Sequence, residues 1–546
     1  LNILLSKLSG REDIVVGMPI EGRRHADLER VAGLFINTLP IRNFLMKKIA
    51  FAGTEGRTLL CGLVVCTATS KIHKDTFQGV VVRGTPSMPK FAETMNWPIA
   101  FIPTEGNSYD EYAAAIIDAL KKDTFDYVVP MPEALLFDGL VDAVEAAGFG
   151  ERIVGLKKEA AFIEGDKIKC KELCREANIP VATSWTAVDA KDYTTILHTC
   201  LDYIQQFGGA VLKYPFSAGG KGARIILNSW EIREVYDTLI KDYKKEYKKM
   251  FGGKGRWPLL IESMMSGVEI SFTILVDKNG GFQILPTAMD YPERFEGPAS
   301  KTNPITGGMG AISPHPMETP ELLQMAGDLI ARPLIDTMKA KGYLRPCILY
   351  PGCFVSLNNN KQPTHIRVSE INIRPGEPEA QPVARRLRNL GTLIEAMFDG
   401  RLNRVEPEVR EDQLAICAGL VTGPGGPDGQ KGYPWSCTKG EPVEIDFNYI
   451  RKKSIQIIPS AMTCSEKDNQ FKSDGTRVAW MNANARIKPD DKRGEVAERF
   501  RNKLLSAFDN GKVRVIPRED PQGNRLDLRR DIGVHYLVAE KIFPEK

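Results

Sequence analysis

A strand that runs through a glycine turn into a helix constrains this chain more than any other feature. M-K-K-I-A-F-A-G at 46–53 is an apolar run behind two lysines, T-E-G-R at 54–57 is a turn, and residues 58–65 open a helix. Strand, glycine turn, helix is the first unit of a parallel α/β domain, because parallel strands need a crossover and the crossover is usually a helix. The pattern repeats, with strands predicted at 79–82, 99–102 and 127–129 and helices at 108–122 and 135–147. The segment P-M-P-E-A at 130–134 leaves a strand and enters a helix, at the carboxyl edge where open sheets bind ligands. Read alone, it is better explained as a plain connection with Pro132 opening the helix.

A second stretch points to a ligand. K-Y-P-F-S-A-G-G-K-G at 213–222 lies between apolar runs at 210–212 and 225–227. The spacing predicts strand, small-residue loop, strand. Gly219, Gly220 and Gly222 let the backbone approach a ligand, exposed N–H groups can face an anion, and Lys213 and Lys221 add charge. That describes a flap over a polyphosphate, and it describes an ordinary glycine-rich hairpin just as well. Neither of the two common phosphate motifs is present.

Further candidates lie up and down the chain. Lys167 falls in the first turn of a helix predicted at 165–179 with Asp166 as N-cap; a cation there opposes the helix dipole and invites an anionic partner. L-L-I-E at 259–262 is a buried strand ending in Glu262, and Glu269 follows seven residues later. In E-I-N at 370–372, alternation puts Glu370 and Asn372 on one face of a strand. Two hard oxygen donors on one face suit Mg²⁺, and a half-exposed polar edge is the bland alternative. From about residue 397 short strands and turns dominate, with a last helix at 495–508, and a capping or substrate-shaping module is expected there.

Bulk properties exclude other classes. At 546 residues three or four domains are expected, and a net charge of +4 argues for neither nucleic acid nor membrane. Ten cysteines without a C-x-x-C pair fit a reducing cytoplasm, where the chain is expected to act. Six scattered histidines offer no zinc site or His-activated nucleophile. No apolar run approaches the roughly 20 residues of a membrane span, and no signal peptide is evident.

Taken in order, the pieces resemble the phosphoribosylamine–glycine ligases, an ATP-grasp family, from about Met46 to the end of the chain. G-T-E-G-R at 53–57 is similar to the family's opening turn, P-E-A-L-L-F-D-G-L-V-D-A at 132–143 to its first-domain loop, and E-G-D-K at 164–167 to its first ATP lysine segment. The 213–222 loop keeps the family's spacing. T-G-G-M-G-A-I-S-P at 306–314 is the most specific piece, followed by E-I-N-I-R-P-G-E-P-E-A-Q at 370–381 and R-R-D-I-G at 529–533.

The resemblance implies an α/β chain with the ATP-grasp fold. It implies a parallel, biotin-carboxylase-like α/β domain at 46–163, an ATP-grasp domain at 164–396 and a mixed α+β domain at 397–546. It implies that Lys167 and Lys213 contact ATP phosphates, under a flap containing Gly220, Lys221 and Gly222. Glu262 would lie at the adenine hinge, Glu269 on the ribose, and Glu370 and Asn372 on Mg²⁺ or Mn²⁺. Arg374 would face the substrate carboxylate or developing oxyanion, with Asp290 and the loop containing Gly308 at the acceptor site. The substrates would be glycine and phosphoribosylamine, joined through an acyl phosphate for purine biosynthesis.

The sequence departs from the family pattern after Asp290, where Y-P-E-R stands for His-Lys-Arg. It departs again at 303–306, where N-P-I-T stands for Gly-Pro-Asn-Thr. These are substrate-side positions, so an amide ligase of secondary metabolism with another amine or acid is the alternative. A scaffold that has kept the fold without activity is a third reading, against which Lys167, Lys213, Glu370 and Asn372 count.

The first 45 residues differ in kind. G-R-E-D-I-V-V-G-M-P-I-E-G-R-R-H-A-D-L-E-R-V-A-G-L-F-I-N-T-L-P-I-R resembles the late part of a peptide-synthetase condensation domain, without the HHxxxDG motif. A stretch this short hardly buries a core. It is expected to be an inactive remnant or gene-boundary fusion, or else a link to a peptide-synthetase module.

Overall fold

The computed structural model describes residues 13–21, 36–44, 47–67, 77–104, 106, 108–216, 222–252, 255, 257–300, 302–358, 362–423, 431–465, 470–516 and 525–536. Ahead of the main body, Asp13–Glu21 and Ile36–Phe44 pair as an antiparallel ribbon.

The expected parallel sheet follows. Its strands run in the order Ala100–Ile102, Phe77–Arg83, Lys47–Gly53, Tyr127–Pro130, all parallel. Lys47–Gly53 is buried on both faces, as a central parallel strand must be. Helix Gly56–Cys66 packs against Phe77–Arg83. A Cβ on Gly79 would stand 1.9 Å from the Gly62 carbonyl oxygen, so that glycine sets how closely helix and strand meet. Helix Tyr109–Lys121 starts at a capping box between Ser108 and Glu111. The helix expected at 135–147 is two, Glu133–Asp138 and Leu140–Ala146, because Gly139 takes φ +96° and turns the chain between them.

Two antiparallel sheets form the middle. One orders Trp185–Asp189, Pro258–Ser263, Ala210–Lys213 and Ala223–Ile226, with helices Tyr193–Phe207 and Ile232–Phe251 packed around a shared core. The other orders Val268–Ser271, Cys347–Leu357, Ile274–Val276 and Phe282–Ile284, with Pro363–Asn372 paired along Cys347–Leu357. Helix Lys167–Glu176 bridges them, and Asp166 caps it by accepting from the N–H groups of Ile168 and Lys169.

The last sheet crosses the boundary expected at residue 396. Its order is Met289–Asp290, Gly310–Ser313, Gln413–Thr422, Arg477–Arg486, Gln456–Pro459, with Leu526–Asp527 also on Gln413–Thr422. Nine of the ten residues of Gln413–Thr422 are buried, so this strand needs partners on both edges, and Gly310–Ser313, itself wholly buried, supplies one. A small sheet of Met462–Cys464, Phe471–Ser473, Pro442–Ile445 and Val513–Val515 stands beside it, and helix Arg493–Asp509 covers strands Gln413–Thr422 and Arg477–Arg486. No helix among the described residues is long and apolar enough to cross a membrane.

Candidate functional site

Pairing of Pro363–Asn372 with Cys347–Leu357 slips once. Glu370 faces Gly352 while Val368 faces Cys353, which leaves Ser369 as an extra residue, and such bulges re-aim side chains beside active sites. Here the bulge meets two lysines that are 46 residues apart in sequence. Lys213 Nζ lies 3.3 Å from Ser369 Oγ, and Lys167 Nζ lies 3.6 Å from the carboxylate of Glu370. Asn372 donates its Nδ2–H to the Tyr350 carbonyl at 3.2 Å, which orients its amide. Glu370 is penalised by burial but held below its ordinary range by Lys167, Lys213 and Arg374, so it is an anion at neutral pH.

Behind these groups lies a buried ion triad. Glu262, 1% exposed, faces Lys171 at 2.7 Å on one oxygen and pairs with Lys213 on the other. Burial alone would raise the Glu262 carboxyl; the two ammonium groups override it and bring it down to about 2. Lys171 also donates to the Val368 carbonyl at 2.9 Å. Lys171 was not singled out in the sequence, where a lysine on a charged helix reads as solvated. The i, i+4 spacing from Lys167 was the one available signal.

Arg374 is held from two sides. Glu133, the first residue of helix Glu133–Asp138, meets its Nε at 3.0 Å, and Glu164 meets an Nη at 3.3 Å. Glu164 accepts the Ile373 N–H at 2.8 Å with its other oxygen. Burial pushes Glu164 up to about 6 in spite of Arg374. The neighbouring turn is tied to the first glycine turn: the Arg57 N–H donates to Glu377 at 2.8 Å, and the Arg57 guanidinium reaches the Pro375 carbonyl. The motifs at 53–57, 130–134, 164–167 and 370–379 therefore meet at one place. Glu133, Glu164, Arg57 and Glu377 are functional candidates whose pairings no local pattern announces.

The remaining candidates are Asp290, Glu269 and Gly308. Asp290 is raised well above the carboxylate range by burial and by the charges of Glu379 and Glu269. Burial of its carboxyl, then the charges of Glu370 and Glu293, push Glu269 up, an effect that solvent on its exposed side chain screens. Gly308 takes φ +99°, and a Cβ there would meet Pro378 Cδ at 2.5 Å. The segment that departs from the family pattern is packed rather than open: the Tyr291 hydroxyl accepts from the Gly533 N–H at 2.7 Å, and Arg294, 1% exposed, pairs with Asp527 at 2.8 Å. Of the flap candidates, Gly222 accepts the Tyr214 N–H at 2.8 Å, while Gly220 and Lys221 lie outside the described residues.

No group of three or more His, Cys, Asp and Glu among the described residues is arranged to hold a metal ion alone. The Glu370 carboxylate and the Asn372 amide oxygen, two residues apart on one strand, are donor types that suit a cation taking its remaining ligands from a phosphate and water.

Comparisons with known proteins bear on the family and the fold. Residues 165–380 match the family described as phosphoribosylglycinamide synthetase, ATP-grasp (A) domain, and residues 1–55 match the condensation domain family. Phosphoribosylamine–glycine ligase from Rhodopirellula baltica is 31% identical over 370 residues, 68% of this chain and 78% of that protein. The crystal structure of phosphoribosylamine–glycine ligase from Thermotoga maritima superposes with a TM-score of 0.61 at 20% identity, covering 89% of this chain and all of the other. The biotin carboxylase domain of 2-oxoglutarate carboxylase from Hydrogenobacter thermophilus, solved with MgADP and bicarbonate, gives 0.57 at 16% identity over 91% of this chain. The architecture is the ATP-grasp fold with a parallel α/β domain before it.

Proposed function

This chain belongs to the phosphoribosylamine–glycine ligase family, and we propose that it joins glycine to 5-phosphoribosylamine with ATP, giving glycinamide ribonucleotide, ADP and phosphate. One observation carries the reading: Lys167 and Lys213 converge on the bulge that presents Ser369 and Glu370, with Asn372 two residues on.

A carboxylate resists attack by an amine. A glycine oxygen attacks the γ-phosphorus and ADP leaves; the amine then attacks the acyl carbon, loses a proton and expels phosphate. Phosphoryl transfer needs placement and charge more than a protein nucleophile. Lys167 and Lys213 supply positive charge to the phosphates. Glu262 and Lys171 keep Lys213 in place, since an ammonium clamped by a buried carboxylate has little freedom. Glu370 and Asn372 would hold Mg²⁺ or Mn²⁺, which would supply charge neutralisation at the phosphate oxygens. Glu133 and Glu164 hold Arg374 towards the substrate carboxylate. Burial and the charges of Glu379 and Glu269 raise the Asp290 carboxyl, which stands on the acceptor side in this reading.

ADP release tests the reading. It should require both glycine and freshly generated phosphoribosylamine; turnover absent with that pair but present with another acid and amine would overturn it. The second outcome is the reading favoured by the match of residues 1–55 to condensation domains, an ATP-grasp amide ligase with different substrates.

A further inference from the structure

A pocket of about 330 Å³ lies apart from the nucleotide cleft, where helix Gly56–Cys66 meets helix Ala380–Arg386 and the C-terminal sheet. Leu63 and Val64 make its apolar wall, and Arg385, Arg410, Gln413, Gln456 and Asn484 make its polar one.

The orientation of each polar group follows from Arg385. A guanidinium only donates, so the groups it meets must turn oxygen towards it. Asn484 accepts from its Nε and Gln456 from an Nη. Asn484 then points its Nδ2 the other way, to the Arg385 carbonyl at 3.2 Å and to Gln413 Oε1 at 2.9 Å. Both glutamines have spent their oxygens, and their NH₂ groups remain as donors. Among the described residues no carboxylate pairs with Arg385; its partners there are neutral amides. Arg410 stands beside it, donating to the carbonyls of Arg385 and Leu387 at 2.6 and 2.9 Å. Burial first, and then the charges of Lys453 and Arg385, hold the neighbouring Lys503 below its ordinary range. A roomy pocket whose acceptors are consumed and whose donors and charge are left over is built for an anion.

We propose that this pocket is a second, non-catalytic binding site for a small phosphate-bearing anion, gripped by Arg385 with Gln413 and Gln456 and flanked by Leu63 and Val64. The volume exceeds bare phosphate and leaves room for the body of a phosphomonoester.

Calorimetric titration of the full chain tests this, with the nucleotide cleft saturated by a non-hydrolysable ATP analogue and Mg²⁺. The probes are inorganic phosphate, glycerol 3-phosphate and, as a carboxylate control, malonate. Both phosphates should bind wild type. Arg385→Gln should weaken them at least tenfold and leave affinity for the ATP analogue unchanged. Gln456→Glu places a carboxylate against Arg385; it should keep or raise Tm and abolish phosphate binding, which separates loss of the site from loss of the fold. Phosphate affinity unchanged in both variants, no phosphate binding once the cleft is saturated, or malonate binding more tightly than phosphate would each overturn the proposal.

Discussion

Lys171 Nζ lies 2.7 Å from Glu262, and both side chains are buried to within 3% of full enclosure. A carboxylate in that position is tolerable because Lys213 engages its second oxygen. Removing one member of such a group leaves charge stranded in a low dielectric, at a cost of about 3–5 kcal/mol. Glu262→Gln strands two ammonium groups, and urea denaturation at pH 7 should register a loss of about that size. The pH dependence has a definite sign. The Glu262 carboxyl is depressed from 4.5 to about 2, so its stabilisation is present above 4.5 and is lost as pH falls towards 2.

Lys213 carries the phosphate contact on this account. Lys213→Ala should weaken ATP by about 1.5–3 kcal/mol, the value of a charge-assisted hydrogen bond, and lower turnover. It also unpairs one oxygen of Glu262, so stability should be measured beside ATP affinity. Unchanged affinity and turnover would remove Lys213 from the site.

Glu164 links pH to activity. Its carboxyl is raised from 4.5 to about 6. The folded chain therefore holds an extra proton between those values, and the stability contributed by this group falls as pH rises through the window. Activity runs the opposite way, because only ionised Glu164 pairs fully with Arg374. The acid limb of kcat/KM should have an apparent pKa near 6, and Glu164→Gln should remove that limb and lower the plateau. An acid limb unaltered in the variant would separate Glu164 from function.

Gly308 is fixed by two constraints at once, a left-handed φ and the ring of Pro378. Gly308→Ala should destabilise the 306–310 loop by about 1–3 kcal/mol, within the range of strained backbone positions. If that loop wraps the acceptor, KM for the amine should rise more than KM for ATP; equal effects on the two would place the loop elsewhere.

The parallel sheet, the Asp166 cap and the shared strand of Glu370 and Asn372 were legible because each rests on a local pattern: apolar period, cap chemistry, strand alternation. That Lys167 and Lys213 belong with them was implied only by the resemblance to the ligase family, since no local pattern joins segments so far apart. Lys171 was not legible, since its distinction is a partner 91 residues away, on strand Pro258–Ser263. Nor were the pairings of Arg374 with Glu133 and Glu164, which need three segments to meet. The assignment of strands Met289–Asp290 and Gly310–Ser313 to the C-terminal sheet was hidden for the same reason: strand pairing across 100 residues leaves no mark in either segment. Gly139 was visible as a residue, but a glycine inside a helical pattern is often tolerated, and its left-handed turn is a consequence of packing.

Activation of a carboxylate by phosphoryl transfer at the cleft of Lys167, Lys213 and Glu370 would leave an isotopic trace. Glycine labelled with ¹⁸O in its carboxylate reports it. Turnover with phosphoribosylamine and ATP should carry one labelled oxygen from glycine into each phosphate released, as mass spectrometry of the phosphate would record. Amide formed with no label in the phosphate would contradict the account.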